Sequence, residues 1–456
     1  MVGRNWSKGC RSCRRRHLKC DEARPSCLRC RRGGFECEGY NALQIVGFAP
    51  VTEKSSAAVK ARKKQISLNR LVAPVIDDSV MIAHLVYAMF SLPAGDKEYA
   101  LAWPGLAASN DPGSLASKCL NSLAESYFGS AREDQALSRQ GRQSYIACLR
   151  SINDNLGDLA KRTTVDTLMS TAILGTYEML FLTSEHGWIK HGLGTAALLK
   201  MRGPDMSESD SFEVFQASRF FILLTSLATC QTTFLSCHQW KSQPWISRGV
   251  EKSSMDLLLD IITDVTDLRS RYHVRKKYGQ DALSEDEGIF ETAMGILEDL
   301  RQWRLKWQTL PEAQSTIISC EDDGSEKSWS ARLEFSSLYA ANSYCLYDAA
   351  TILAIEIAMF SAKAEDLKPG DASVLFVTAR EAGIEICRSI DYQLSSSIGK
   401  IGHLTVLWPL RMAFKVLKDT VDGRWLEDKI REIMSTADSW SISEQSLTFQ
   451  PNLEAG

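Results

Sequence analysis

The 456-residue sequence predicts a small cysteine-rich module, then a linker and a large all-α domain. Three observations predict this arrangement. Six regularly spaced cysteines fall within residues 10–37, apolar residues show no sustained heptad spacing over residues 41–75, and helical periodicity starts near residue 76. With 44% hydrophobic and 24% charged residues, most of the chain can bury a large core. We expect the parts to span 1–40, 41–75 and 76–437, with a tail at 438–456.

The cysteines occur as two triplets that repeat at a fixed offset of 17 residues. Two separate tetrahedral zinc sites would need eight sulfur positions. Six thiolates fill those positions if two of them bridge both ions. The spacing therefore favours one binuclear zinc cluster over two independent fingers, with all six cysteines as ligands: Cys10, Cys13, Cys20, Cys27, Cys30 and Cys37.

A disulfide framework is the alternative use of so many cysteines. Residues 1–6 lead into a cationic stretch without an apolar segment, so the sequence does not indicate secretion. The other seven cysteines are scattered over the chain, almost all without ligand spacing. This usage is typical of a reducing compartment and favours metal over disulfides.

Charge is strongly segregated along the chain. Residues 1–40 contain eleven Lys or Arg and four acidic residues, a net charge of +7, whereas the whole chain is at −3. The remainder therefore carries −10. Such segregation predicts a polyanion-binding module attached to an acidic domain.

Residues 8–40, from Lys8-Gly9-Cys10 to Phe35-Glu36-Cys37 and beyond, resemble the fungal binuclear zinc cluster DNA-binding domain. The resemblance implies two zinc ions, with Cys10 and Cys27 as bridging thiolates and the other four cysteines as terminal ligands. It also implies a short helix after the second cysteine, placed in the major groove of double-stranded DNA over a CGG-type triplet.

The same resemblance assigns roles to the basic residues between Cys13 and Cys20. Arg16 and His17 fall at base-reading positions, with Arg14, Arg15 and Lys19 near phosphates. His17 departs from the family, which more often has Lys or Arg there. A neutral imidazole cannot make the same charged contact to guanine O6 and N7.

The linker, residues 41–75, holds the basic run Lys60-Ala61-Arg62-Lys63-Lys64. This run is a nuclear localisation signal, a phosphate-contacting arm or an ordinary solvated charge run, and the sequence leaves all three open. No zipper follows the cluster, so monomer and homodimer both remain open.

From residue 76 the sequence predicts helices, beginning at Asp77-Asp78-Ser79, at Ser114, near Arg142 and at Thr163-Thr164. Strand signals are nearly absent. No stretch reaches the roughly 20 uncharged apolar residues of a membrane helix, so no membrane partner is expected. Residues 271–277 are predicted to be a solvated loop, and residues 320–330 an exposed acidic loop.

Residues Trp188 to Pro204 form the most informative stretch of this domain. Gly192 and Gly194 predict close approach of a neighbouring helix, and Gly203-Pro204 predicts the end of a helix. We expect His191 to lie in the protein interior. The stretch resembles the fungal-specific transcription factor regulatory domain, whose signature runs from Trp-x2-His-x2-Gly to Arg-Gly-Pro. That resemblance implies a helical domain that regulates activity and, in some members, binds a small effector.

The leading hypothesis is a zinc-dependent, sequence-specific regulator of RNA polymerase II genes in the nucleus, acting in a metabolic or secondary-metabolite pathway. The alternatives are an enzyme in the helical domain and a zinc-cluster scaffold that has lost DNA binding. The residue patterns of the helical domain do not favour the enzyme hypothesis. There are seven histidines without a His-x3-His pair, and no nucleophile elbow or phosphate loop.

Overall fold

The computed structural model describes residues 10–16, 18–21, 27–35, 37, 77–90, 111–184, 186–278, 288–319, 327–363, 366–395 and 404–436. It divides into two compact units, residues 1–73 and residues 74–456. The first contains the cysteine module and the second is largely helical, so the predicted fold class is confirmed. The linker, the tail and most of the predicted acidic loop (residues 320–326) lie outside the described residues.

The cysteine module contains two one-turn helices, α1 (Arg11–Arg15) and α2 (Leu28–Arg32). Their backbone hydrogen bonds follow the sequence repeat. The N–H of Leu18 donates to the carbonyl of Cys13 at 2.9 Å, and the N–H of Phe35 donates to that of Cys30 at 3.0 Å. The 17-residue offset in sequence is therefore a repeat in structure.

The described helices of the second unit follow one another along the chain. Their bounds are α3 Asp78–Phe90, α4 Leu115–Ala131, α5 Gln135–Gly157, α6 Val165–Phe181, α7 Gly187–Arg202, α8 Ser209–Thr229, α9 His238–Arg248, α10 Ser254–Tyr278, α11 Ile289–Trp307, α12 Leu338–Ser361, α13 Asp371–Gln393, α14 Leu407–Leu417 and α15 Val421–Thr436.

Side-chain caps fix several of the helix starts. Ser114 accepts a hydrogen bond from the N–H of Ser117 to cap α4, and Thr164 accepts one from Thr167 to cap α6, as predicted. The predicted start near Arg142 is wrong, because α5 begins at Gln135. Asp134 caps it by accepting from the N–H groups of Ala136 and Leu137.

The loop predicted in this unit is also wrong. Residues 271–277 are the last turns of α10 and not a loop. Basic residues in a last turn interact favourably with the carbonyl end of the helix dipole. In addition, one antiparallel hairpin lies between α11 and α12: β1 (Ser315–Ser319) pairs with β2 (Ala331–Phe335) in the register Ser315 opposite Phe335. Leu333 and Phe335 of β2 are buried in the helical core.

The α12 helix lies at the centre of the second half of this unit, packed against α10, α11, α13 and α14. Among the described residues it is the one helix long and apolar enough to cross a membrane, by length and composition alone. However, 78% of its most apolar window is buried inside the protein, and it contains Asp348 and Glu356. Its surroundings are those of a core helix.

Candidate metal centre and nucleic-acid interface

The six cysteine thiols of the first unit converge into two overlapping groups. One contains Cys10, Cys13, Cys20 and Cys27, the other Cys10, Cys27, Cys30 and Cys37, and within each group the sulfur atoms lie within 4.8 Å of one another. Cys10 and Cys27 belong to both groups. Two tetrahedra that share one edge have this arrangement.

The sulfur separations fit zinc. Sγ of Cys10 lies 3.6 Å from Sγ of Cys27 and 3.9 Å from that of Cys30, and Sγ of Cys13 lies 3.7 Å from that of Cys27. Tetrahedral zinc with bonds of about 2.3 Å holds sulfur atoms about 3.8 Å apart, whereas a disulfide needs about 2.05 Å. None of the six cysteines is in a disulfide bond. The donor set thus suits two zinc ions and not disulfides.

Backbone N–H groups surround the sulfur atoms in a pattern that repeats with the sequence. Cys13 donates to Sγ of Cys10 at 3.4 Å, and its counterpart Cys30 donates to Sγ of Cys27 at 3.3 Å. Cys10 and Cys27 donate at 3.4 Å to Sγ of Cys20 and Cys37. Such donors stabilise thiolates and orient them for the metal.

Burial opposes ionisation when no metal is bound. It raises the pKa of the Cys10 thiol to about 12 and raises the pKa of Cys13 as well. Because zinc binds the thiolate, loading the cluster must release protons. The positive charge of the ions then replaces solvent in stabilising the buried sulfur atoms.

The basic segment begins on α1, directly after the first cysteine. Arg14 and Arg15 lie on α1, and Arg16 and Lys19 follow its end. The side chains of Arg15, Arg16 and Lys19 are exposed. His17 lies outside the described residues, so its predicted position stays a prediction. The guanidinium of Arg16 stacks on the ring of Phe35, with 3.5 Å between its Cζ and the ring centre.

An acidic residue close to this surface is held by the module itself. The carboxylate of Asp21 accepts hydrogen bonds from the N–H groups of Leu28 and Arg29 at 3.0 and 2.9 Å. It thereby closes the amino-terminal end of α2. No local sequence pattern predicts this cap or the Phe35 contact, because Asp21 lies six residues before Cys27, the residue at the N-cap position of α2, and Arg16 lies 19 residues before Phe35.

In the second unit, the predicted signature forms α7 and its end. Gly203 has φ +93°, which ends the helix as predicted. A Cβ at Gly192 would lie 2.0 Å from Oγ1 of Thr225, which confirms close approach to α8. The prediction is wrong for Gly194, where a Cβ would only touch Thr171 at 3.8 Å.

His191 is half-buried between helices. Its Nε2 lies 3.4 Å from the hydroxyl of Tyr145, which donates to the buried carboxylate of Glu178. Burial lowers the pKa of His191, and the nearby Glu178 partly opposes this effect. The residue is therefore an interior histidine with a polar neighbour, as predicted.

A model of the fungal specific transcription factor domain matches residues 106–354, more than half of the chain. The chain belongs to this family. The fungal Zn(2)-Cys(6) binuclear cluster domain, which binds two zinc ions, matches residues 8–44. The chain therefore joins an amino-terminal zinc cluster domain to a fungal specific transcription factor domain, and the resemblance stated from its sequence is confirmed.

Curated relatives match over limited stretches. Transcriptional regulatory protein moc3 of Schizosaccharomyces pombe is 54% identical over 65 residues, 14% of this chain and 13% of the relative. The aspercryptin biosynthesis cluster-specific transcription regulator atnN of Emericella nidulans is 40% identical over 60 residues, 13% and 10% of the two chains. An uncharacterized protein of Emericella nidulans is 26% identical over 117 residues, 25% of each chain.

The alignments thus span a quarter or less of these relatives' lengths. No solved structure matches this chain significantly.

Proposed function

We propose that this protein is a transcription regulator, which binds double-stranded DNA through its zinc module and reads CGG-like triplets in the major groove. The observation that carries the proposal is the exposed basic surface of α1 and the residues after it, fixed to a metal-binding core by Cys13 and Cys20. The proposed contacts are Arg14, Arg15, Arg16, His17 and Lys19.

The cysteine ligands of the metal centre hold the basic surface in place. Zinc is bound by all six cysteines, with Cys10 and Cys27 as the bridging ligands, because these two thiols belong to both groups. The α1 helix starts at the residue after one bridging thiolate and contains a terminal ligand, Cys13. A five-residue helix has too few hydrogen bonds to persist alone, so the metal holds it in shape.

The exposed side chains have different tasks in this proposal. Arg16 carries a planar fork that matches O6 and N7 of guanine, and His17 lies next to it in the chain. Arg14, Arg15 and Lys19 act as phosphate contacts, which supply affinity without sequence preference. The carboxylate of Asp21 accepts hydrogen bonds from the N–H groups of α2. In this proposal it is therefore held away from the DNA phosphates, which would repel it.

The helical unit, in this proposal, regulates the activity of the bound protein. We propose nuclear localisation, action on RNA polymerase II genes and a metabolic or secondary-metabolite pathway. The name of one relative, a biosynthesis cluster-specific regulator, is consistent with such a pathway. A small-molecule effector of the helical unit and a homodimer are further proposals.

The test is selection of bound sites from random double-stranded DNA by the zinc-loaded full chain. An enriched CGG-like triplet is the expected result, and two triplets at fixed spacing would indicate a homodimer. Affinity for the selected site should fall steeply as salt is raised. Recovery of no sequence, with weak binding at all salt concentrations, would contradict DNA recognition and favour a scaffold.

A matched pair of charge reversals tests which half of the module faces DNA. Arg15→Glu, at the end of α1 in the first half of the module, should abolish DNA binding. Arg32→Glu, at the corresponding position of the second half, should have a milder effect, because Gly33, Gly34 and Glu36 follow it. Equal losses would contradict the assignment of the interface to the first half.

A further inference from the structure

The stacked pair of Arg16 and Phe35 joins the two halves of the zinc module. The Cζ atom of Arg16 lies 3.5 Å from the centre of the Phe35 ring, although the residues are 19 positions apart in the chain. The ring is 50% exposed. An aromatic residue at the surface therefore supports the side chain that we propose as a base reader.

The backbone around Phe35 is arranged to place its ring there. The N–H of Phe35 donates to the carbonyl of Cys30 at 3.0 Å, which fixes the chain after α2. A Cβ at Gly33 would lie 2.8 and 2.9 Å from two ring carbons, Cδ2 and Cε2. Gly33 has φ −88°, which any residue can adopt. The ring, and not the backbone angle, thus favours glycine at this position.

Stacking leaves the hydrogen-bonding edge of the guanidinium free. The five N–H donors of arginine lie in the plane of the group, whereas the ring contacts its face. Among the described residues no hydrogen bond or ion pair engages the Arg16 side chain. A guanidinium held in this way can still present two parallel donors to guanine O6 and N7.

We propose that Phe35 is a positioning residue for DNA readout. Its ring restricts Arg16 to an orientation suited to the base edge before DNA binds, and Gly33 provides the space for the ring. Fewer rotamers then have to be immobilised on binding, which lowers the entropic cost of recognition. The inference rests on the proposed function. It assigns a specificity role to the second half of the module, which otherwise serves as scaffold.

The main experiment compares affinities of the zinc-loaded full chain for the selected site and for a scrambled duplex. Phe35→Ala should weaken binding to the selected site by about three- to tenfold, the loss expected from one cation–π contact and one ordered side chain. Binding to the scrambled duplex should change little, since phosphate contacts remain. Phe35→Trp keeps an aromatic face and should stay near wild type.

One control variant and one further test variant separate positioning from general damage. Leu28→Ala removes another exposed apolar side chain of the second half, 42% exposed, and should leave both affinities unchanged. Gly33→Ala keeps residue 35 but displaces its ring, so it should reproduce part of the Phe35→Ala loss. All variants should retain two zinc ions by native mass spectrometry.

A DNA-free measurement and a double variant test the route through Arg16. In the full chain labelled with ¹³C,¹⁵N-arginine, the Arg16 side-chain resonances should shift in Phe35→Ala, because the ring current is lost. The double variant Arg16→Ala/Phe35→Ala should bind the selected site as Arg16→Ala does. Additive losses would mean that Phe35 acts independently of Arg16 and would overturn the proposal.

Two further outcomes are distinguishable. Unchanged discrimination in Phe35→Ala, with a wild type that prefers its selected site, overturns the positioning role and leaves the proposed function intact. A wild type without sequence preference overturns the proposed function and the readout role together, whereas the Arg16 resonances still report whether the stacked pair exists.

Discussion

The guanidinium of Arg219 on α8 lies 2.6 Å from Oδ1 of Asp256 on α10, with only 2% of the arginine side chain exposed. The same group lies 2.7 Å from Oδ1 of Asp260 and stacks over the ring of Trp245 at 4.7 Å. Lys252 also pairs with Asp260. The two helices are therefore joined by a buried network in which two cations face two carboxylates.

Removing the central cation should be costly. Arg219→Met leaves Asp256 without a cation and Asp260 with one instead of two, so we expect a loss of about 3–5 kcal/mol in the free energy of unfolding. Chemical denaturation of the full chain measures it. Arg431→Met is the matched control, because Arg431 pairs with Glu427 and Asp428 at the surface, where such pairs contribute about 1 kcal/mol or less. Equal losses would contradict a structural role for the buried network.

The two glycines of α7 should respond in opposite directions. Gly192→Ala places a Cβ 2.0 Å from Oγ1 of Thr225, so the helices must separate and stability should fall by about 1–3 kcal/mol. Gly194→Ala meets only ordinary contact, and alanine is favoured over glycine inside a helix by about 1 kcal/mol. Thermal unfolding of the two variants tests this. A stabilised Gly192→Ala would refute the close approach.

Local sequence signals predicted the cysteine centre and several helix boundaries. The 17-residue repeat indicated shared ligands, and the two thiol groups do share Cys10 and Cys27. Ser114, Thr164 and Gly203 stand at helix ends because each signal depends on neighbouring residues only. The start of α5 was missed because Asp134, a better cap, lies before the first apolar residues of the helix.

Long-range contacts could not be predicted in the same way. Arg219 meets Asp256 across 37 positions, and Arg16 meets Phe35 across 19, without a local pattern that links them. The β1–β2 hairpin has only one well-buried face, on β2, so its alternation of apolar residues is short and weak. Gly192 and Gly194 look alike in sequence, and only the position of Thr225 distinguishes them.

Substitution of a shared cysteine should remove more zinc than substitution of an unshared one. Cys27 belongs to both thiol groups and Cys37 to one. Cys37→Ala should therefore retain close to one ion with reduced affinity, whereas Cys27→Ala should retain neither. Native mass spectrometry of the intact proteins counts the ions, with two expected for wild type. A single ion in wild type would contradict the binuclear centre.

Because Asp348 is buried at the centre of α12, we expect the free energy of unfolding to depend on pH. Its side chain is 5% exposed in the core, and Oδ2 has no hydrogen-bond partner. Burial raises the pKa of Asp348 well above its usual value; the charge of Arg304 opposes the rise and that of Glu385 adds to it. The folded protein therefore keeps a proton that the unfolded chain releases near pH 4.

Above that pH, the folded state holds more protons than the unfolded state, so this group lowers stability as pH rises towards its folded pKa, by at most about 1.4 kcal/mol per pH unit. Asp348→Asn removes the proton exchange and keeps the shape. The free energy of unfolding of Asp348→Asn minus that of wild type should increase from pH 5 to pH 8. Asp154→Asn, on the exposed face of α5, is the matched control for the loss of one carboxylate. Parallel pH profiles for Asp348→Asn and wild type would show that the carboxyl is ionised in the folded core and that Arg304 compensates its charge.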